Sequence, residues 1–293
     1  MSLEDIVNAT LTGLTRAGLL FVVSVGLTLV FGALRVINLA HGSLYMLGAF
    51  VTSSAVAWLG GDAGFWPALL LAAAAAAAVG AIAEVGVLRR LYGKEHLLQL
   101  LATYALVLII ADLVQMVWGT GNRTVDRPAG VDGSVGILGQ DFAIYNLWIV
   151  GFALAVGAGL YLLINRTAVG RNIRAATVDP EMLGGVGVNV AALFTAVFVL
   201  GAALAGAAGA IVAPSGAVGL GMDIDIIVLA FAVTIIGGLG SIPGALVGAT
   251  IVGLVDSFGI ELAPRFTLAF VFLVMVVVLA VRPTGLFGVP ERA

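Results

Sequence analysis

The chain of 293 residues is 61% hydrophobic and only 10% charged, against roughly 25% charged in an ordinary soluble domain. Surface-to-volume scaling does not let a soluble fold of this size hide so much apolar side chain, so lipid has to be the solvent for most of the outer face. A net charge of −3 without a basic run argues against a nucleic-acid partner. The absence of cysteine excludes disulfides and thiol chemistry, and two histidines, His41 and His96, are too few for a histidine metal site.

The expected fold is therefore an all-α, polytopic bundle in one transmembrane domain over residues 1–293. A spanning helix needs about 20 mostly apolar residues. That ruler places spans near 11–34, 43–59, 66–88, 97–118, 147–164, 191–213, 225–239, 244–260 and 265–281. The seventh and eighth are short and rich in glycine, so they read as two tilted helices or as one helix with a re-entrant piece, and the count is eight or nine. The opening stretch MSLEDIVNAT carries no Lys or Arg. It lacks the basic start of a cleavable signal, so the first span is expected to stay as a helix.

Basic residues in short loops set the orientation. Arg89, Arg90 and Lys94 follow the third span, Arg166, Arg171 and Arg174 follow the fifth, and Arg282 and Arg292 end the chain. All fall on one side, which is read as cytoplasmic. Asp62, Asp223, Asp225 and Glu261 fall on the other, together with the loop 119–146. With nine spans the N-terminus lies outside.

Small residues recur at four-residue steps, as in Gly201, Ala205 and Gly209, or in Gly244 with Gly248 and Ala249 with Gly253. Such spacing lets helix backbones approach closely in lipid, where a pore-lining face is the other reading. Glu84, Asp112 and Asp256 sit in or near the ends of spans. Each is a functional candidate, because a charge in lipid is costly. Glu84 also lies close enough to Arg89 to pair with it, and Asp256 lies near the end of its span.

Three polar segments interrupt the apolar pattern. In GLTLVFGALRVINLAHGSLYMLGA (26–49), Arg35, Asn38, His41 and Ser43 fall between two spans. Irregular backbone at membrane depth is tolerated only where protein or water satisfies it. The segment reads either as a broken element at the mouth of a path or as a tight loop whose polar groups cap helices. In NRTAVGRNIRAATVDPEMLGGVGVNV (165–190), Asp179-Pro180-Glu181 is a helix-start signature. Met182, Leu183 and Val186 then share one apolar side, and Gly187 can end the helix. This cytoplasmic loop is expected to carry a short amphipathic helix, docked on a partner or lying on headgroups. In GGLGSIPGALVGA (237–249), four glycines and a proline bracket Ser241, again a helix break. The breaks near 35–43 and 237–244 read as counterparts in a repeat, since both precede a helix carrying Gly-Ala.

No nucleotide or hydrolase motif is present. Gly93-Lys94 lacks the upstream glycine of a phosphate-binding loop, and neither a nucleophile elbow nor His-Glu-x-x-His occurs. The chain carries no visible catalytic machinery, so active work draws its energy from a partner or an ion gradient.

These segments, with the ending VRPTGLFG (281–288), resemble in order and over nearly the whole chain the LivH-type permease subunits of branched-chain amino acid ABC transporters. Leu39 stands where Phe is common. Gly184 and Gly185 replace better helix formers, at roughly 1 kcal/mol each. The resemblance implies two ATP-binding subunits, a second homologous permease chain or a homodimer, an extracytoplasmic binding protein and a prokaryotic plasma membrane. It implies no cofactor on this chain, with ATP and Mg in the partner subunits. It makes 179–187 the coupling helix, with Arg171, Arg174, Asp179, Pro180, Glu181 and Gly187 as coupling positions. Asn38, His41, Gly42, Gly240 and Ser241 become candidates for the translocation path or its gate. The implied cargo is a branched-chain or related small neutral amino acid, with urea or a short amide as the other option. A passive channel would have no use for the surface helix, and an ion-coupled transporter would want a chain of carboxylates that Glu84, Asp112 and Asp256 are too scattered to form.

Overall fold

The structure is a computed structural model that describes residues 2–60, 64–137 and 140–288. Along the chain run α1 (Leu3–Leu34), α2 (His41–Leu59), α3 (Phe65–Gly86), α4 (His96–Trp118), the hairpin β1 (Ser134–Ile137) and β2 (Gln140–Ala143), and α5 (Ile144–Arg166). Then come α6 (Ala168–Val178), α7 (Pro180–Gly185), α8 (Val190–Val212), α9 (Met222–Gly237), α10 (Ile242–Leu262) and α11 (Thr267–Val281). Among the described residues eight helices are long and apolar enough to cross a membrane. The remaining apolar helix, α9, has 16 residues, about 24 Å at 1.5 Å per residue.

Local sequence explains where the helices begin. Ser2 and Asp5 form a reciprocal capping box, so α1 starts eight residues earlier than the apolar ruler placed it and reaches 32 residues. Asp179 caps α7 ahead of Pro180, and Ser241 caps α10 ahead of Pro243. The hairpin lies inside the segment expected as a plain outer loop, with Val135 facing Phe142 across an antiparallel ladder.

Two long helices carry the bundle, and each is followed by a break that turns back into it. After α1, residues 35–40 run as irregular chain, starting from Arg35 in a left-handed conformation (φ 53°). They return alongside α1 far enough for the His41 ring to meet the Val23 carbonyl at 3.0 Å. Val23 lies 11 residues before the end of α1, about 16 Å along its axis, so α2 starts near mid-depth. After α8, residues 213–221 fold back in the same way from the opposite end. The start of α9 lands beside α2, where a β-carbon on Gly42 would stand 3.0 Å from Ile227 Cβ. One helix then leaves this level toward each end.

The halves match element for element. α10 packs along α1 as α3 packs along α8, while α4 lies on α2 as α11 lies on α9. The pseudo-twofold passes where α1 meets α8. A β-carbon on Gly26 would stand 2.8 Å from the Gly201 carbonyl oxygen, and one on Gly201 would stand 2.9 Å from that of Gly26. The counterpart of the 35–40 break is thus 213–221, not 237–241 as the Gly-Ala resemblance suggested. The 237–241 turn sits at the basic end instead, against Gly32 and the tail, where Leu286 and Phe287 donate backbone hydrogen bonds to Ile236 and Gly237.

The glycine rhythm is close packing. A β-carbon on Gly209 would collide with the Tyr45 carbonyl, and Gly253 lies against Gly13 and Ala17. Backbone is not a flexible neighbour, so Gly209→Val should cost at least the roughly 1–3 kcal/mol of an overpacked core. The expected outcome is a lowered melting point and lost yield in mild detergent. Exposed Gly151 provides the control, since nothing stands within 4 Å of its β-position.

Candidate functional site

At mid-depth the two breaks bring polar groups together. Ser43, in the first turn of α2, donates its hydroxyl to Asp223 Oδ2 at 3.0 Å, and Asp223 is only 3% exposed. The carboxylate sits in the first turn of α9 and reaches the first turn of α2, so two positive helix ends favour its charge. The sequence had placed Asp223 in an outer loop. The fold-back of 213–221 moves it into the interior. Arg123 holds that segment through paired backbone bonds with Val218, at 2.9 and 2.8 Å.

Other buried groups, on α1 and in the 35–41 segment, have no protein partner. Asn38 is 1% exposed, and neither its amide nitrogen nor its oxygen is bonded; His41 Nδ1, Ser24 Oγ and Thr28 Oγ1 are likewise free. Buried orphans are uncommon in a folded protein and call for a ligand, a water or a second arrangement. Asn38 and His41 are thus buried with free polar atoms, and Gly42 is the small contact that lets α9 approach. Thr103 of α4 donates to the Ile37 carbonyl at 3.4 Å, which helps to satisfy the irregular backbone.

Gly240 and Ser241 are not part of this cluster. The Ser241 hydroxyl accepts the Gly244 N–H at 3.1 Å as a helix cap, and Gly240 (φ 83°) makes the turn beside Gly32. Gly32 is nine residues, about 13 Å of helix, from Val23.

At the basic end the 165–190 loop folds as two helices. The sequence showed only the second. The first, α6, is capped by the Thr167 hydroxyl, which accepts from Gly170 at 3.1 Å, and Arg174 donates to the Ile164 carbonyl. Arg171 is exposed. Arg35 ties this unit to α1 through the Thr177 carbonyl at 3.5 Å. In α7 the Asp179 carboxylate accepts from Met182 at 2.9 Å, Glu181 is exposed, and Gly187 takes the left-handed turn (φ 88°) that leads to α8. Leu183 does not share a face with Met182 and Val186. It is buried at 8%, whereas Val178, Met182 and Val186 stand 85%, 72% and 74% exposed. Val178 ends α6, Met182 lies on α7 and Val186 caps its end, so the exposed apolar groups come from both sides of the extended Asp179.

The ionisable residues of the spans divide by surroundings. Glu84 is fully buried and accepts from Arg89 Nε at 3.2 Å, Tyr92 Oη at 2.9 Å and Thr195 Oγ1 at 2.9 Å. Those bonds hold the Arg89 guanidinium above its usual range, while burial, then the bond to Glu84, pushes the Tyr92 phenol up. Glu84 therefore joins the end of α3, the 88–92 turn and the first turns of α8. Asp256 pairs with Arg16 across α10 and α1. Asp112 is exposed on α4, six residues before its end. None of the three approaches the mid-depth cluster, which agrees with their scatter in the sequence. Among the described residues no group of three metal-ligating side chains occurs.

The family model of the branched-chain amino acid transport system permease component matches residues 9–279. The permease protein BraD of the high-affinity branched-chain amino acid transport system of Pseudomonas aeruginosa is 30% identical, over 99% of this chain and 96% of its own. Its LivH counterpart in Escherichia coli is 28% identical over the same shares, 99% and 96%. A probable LivH permease of Methanocaldococcus jannaschii is 27% identical over 93% of this chain and 90% of its own. No solved structure matches the chain significantly.

The Ser43–Asp223 bond makes a direct prediction. Ser43→Ala leaves a buried carboxylate short of a donor, which costs about 1–3 kcal/mol. In a double-mutant cycle read from melting in detergent, Asp223→Asn should cost less in the Ser43→Ala background than alone. Strict additivity would show that the two side chains do not interact.

Proposed function

Because the chain belongs to the family of branched-chain amino acid transport system permease components, we propose that it is the membrane-spanning permease of an ATP-driven importer that carries a branched-chain amino acid into a prokaryotic cell. The observation that carries this reading is α7. A helix capped by Asp179 and started by Pro180 presents Met182 outward at the basic end, and Val178 just before it and Val186 just after it are exposed too. A channel would have no use for these exposed apolar side chains, whereas an apolar groove on an ATP-binding subunit would bury them.

In this reading two ATP-binding subunits seat on α7 and its partner's equivalent. A second permease chain completes the core, and an extracytoplasmic binding protein delivers the substrate. Nucleotide chemistry stays in the partners, in keeping with a chain that has no phosphate-binding loop. Arg171 and Arg174 flank the docking helix, and the Glu84 network ties the start of α8 to α3. A displacement of α7 is therefore passed into α8, which runs from there to the crossing at Gly201. The relatives' names support the substrate class: each is called a branched-chain amino acid permease.

Two measurements test this. A tagged chain purified in mild detergent should bring down an ATP-binding protein and a second permease. In vesicles with the complete set, leucine uptake should require ATP and the binding protein. Recovery of the chain alone, with uptake independent of ATP, would favour a channel instead. Glu181→Arg reverses the charge on the first turn of α7, where the helix dipole favours an anion. It should weaken both co-purification and uptake, and unchanged values for both would remove α7 as the docking helix.

A further inference from the structure

The Asp225 side chain has no role in the packing described so far. Asp225 is exposed and lies two residues after Asp223 and two before Ile227, both of which meet the start of α2. It lies 12 residues, about 18 Å of helix, from the basic end of α9. The other end of the bundle is marked by packed aromatics, with Phe65, Trp66, Tyr145 and Trp148 in mutual contact and Tyr145 Oη bonded to the Ile211 carbonyl at 2.7 Å. Ile211 is ten residues, about 15 Å, beyond the Gly26–Gly201 crossing. Asp225 is therefore an exposed carboxylate near the middle of the span, out of reach of either headgroup layer. Asp112, the other exposed carboxylate in a span, is only about 9 Å from the end of α4.

Hydrocarbon does not tolerate a carboxylate at that depth. A carboxylate at that depth faces a protein interior or a water-filled cavity, not lipid. Ser215, Gly216, Ala217 and Gly221 of the fold-back are exposed as well, on either side of the buried Val218 and Gly219. Ile224, 59% exposed, stands next to Asp225. An anionic group beside an apolar side chain suits a small molecule with an ammonium and an aliphatic tail.

We propose that Asp225 is a substrate-recognising residue at the floor of an outward-opening vestibule built by residues 215–225, where its carboxylate receives the ammonium group of a zwitterionic aliphatic amino acid while Ile224 meets the side chain. This deepens the permease reading and rests on it. No bond is made or broken. The interaction is one charge-assisted hydrogen bond in water that the protein partly excludes.

The test uses the full complex in vesicles with the binding protein outside and ATP inside. Asp225→Cys introduces the chain's only thiol. A positively charged, impermeant methanethiosulfonate added outside should modify it, and leucine-loaded binding protein should slow the reaction. A thiol that faced lipid would not ionise and would stay unmodified, which would overturn the proposal. Asp225→Asn should lower the maximal leucine uptake about tenfold, the weight of one hydrogen bond to a charged group. The concentration for half-maximal uptake should hold, because the binding protein sets it. Unchanged maximal uptake would overturn the proposal, as would loss of the second permease from the purified variant, since Asp225 would then be an inter-subunit contact. Failure of the unmodified complex to move leucine with ATP would instead strike at the permease reading itself.

Discussion

The fold depends on one contact: the backbones of α1 and α8 crossing at Gly26 and Gly201, with no side chain between them. Only at that separation can the two breaks reach the centre. If α1 and α8 stood apart by the width of a leucine, the start of α9, which follows α8, could not lie against Gly42 at the start of α2, which follows α1. Lipid gives no hydrophobic gain to helix association, so such contacts rest on dispersion and backbone proximity. Gly26, Gly201, Gly209 and Gly253 stand where two backbones touch, whereas others such as Gly151 meet nothing.

The breaks have their own cost. Irregular chain inside a membrane must find partners for its N–H and C=O groups. Residues 35–40 find some of theirs in Thr103 and in the turn at Asn38, and residues 213–221 find theirs in Arg123. What stays unsatisfied is the set of side chains at the crossing, above all Asn38 and His41 Nδ1. Such buried orphans are uncommon in a folded protein and call for a ligand, a water or a second arrangement. The symmetry adds a second property. α2 and α9 leave the same level in opposite directions, so a tilt of α8 at its basic end bears on both at once.

Much of this was legible in the residues. The span count, the basic side, the α7 cap at Asp179-Pro180 and the break after Arg35 follow from composition and local propensity, which act over a few neighbours. α6 was less visible, since AVGRNIRAATV is polar on average and its start at Thr167 is a single-residue signal. The α1 capping box was legible in Ser2 and Asp5 but outweighed by the search for apolar residues. The depth of Asp223 was not legible at all. Its neighbours look like an outer loop, and only the packing of two distant helices carries the segment inward. For the same reason the local motif does not reveal the repeat. Gly-Ala recurs by chance in a chain of this composition, whereas the true counterpart of 35–40 shares geometry with it and no motif.

The most direct test of the crossing is a cysteine pair at 43 and 223 in this cysteine-free chain. Side chains that now share a hydrogen bond should place two thiols within disulfide range, where Cα atoms lie about 4.4–6.8 Å apart. Mild oxidation in native membranes should link α2 to α9 for the 43/223 pair and leave a 43/241 pair reduced, read by a gel shift after cleavage in the 165–190 loop. A link at 43/241 with none at 43/223 would mean that the 237–241 turn, not the 213–221 fold-back, meets the first break, and the symmetric core described here would be wrong.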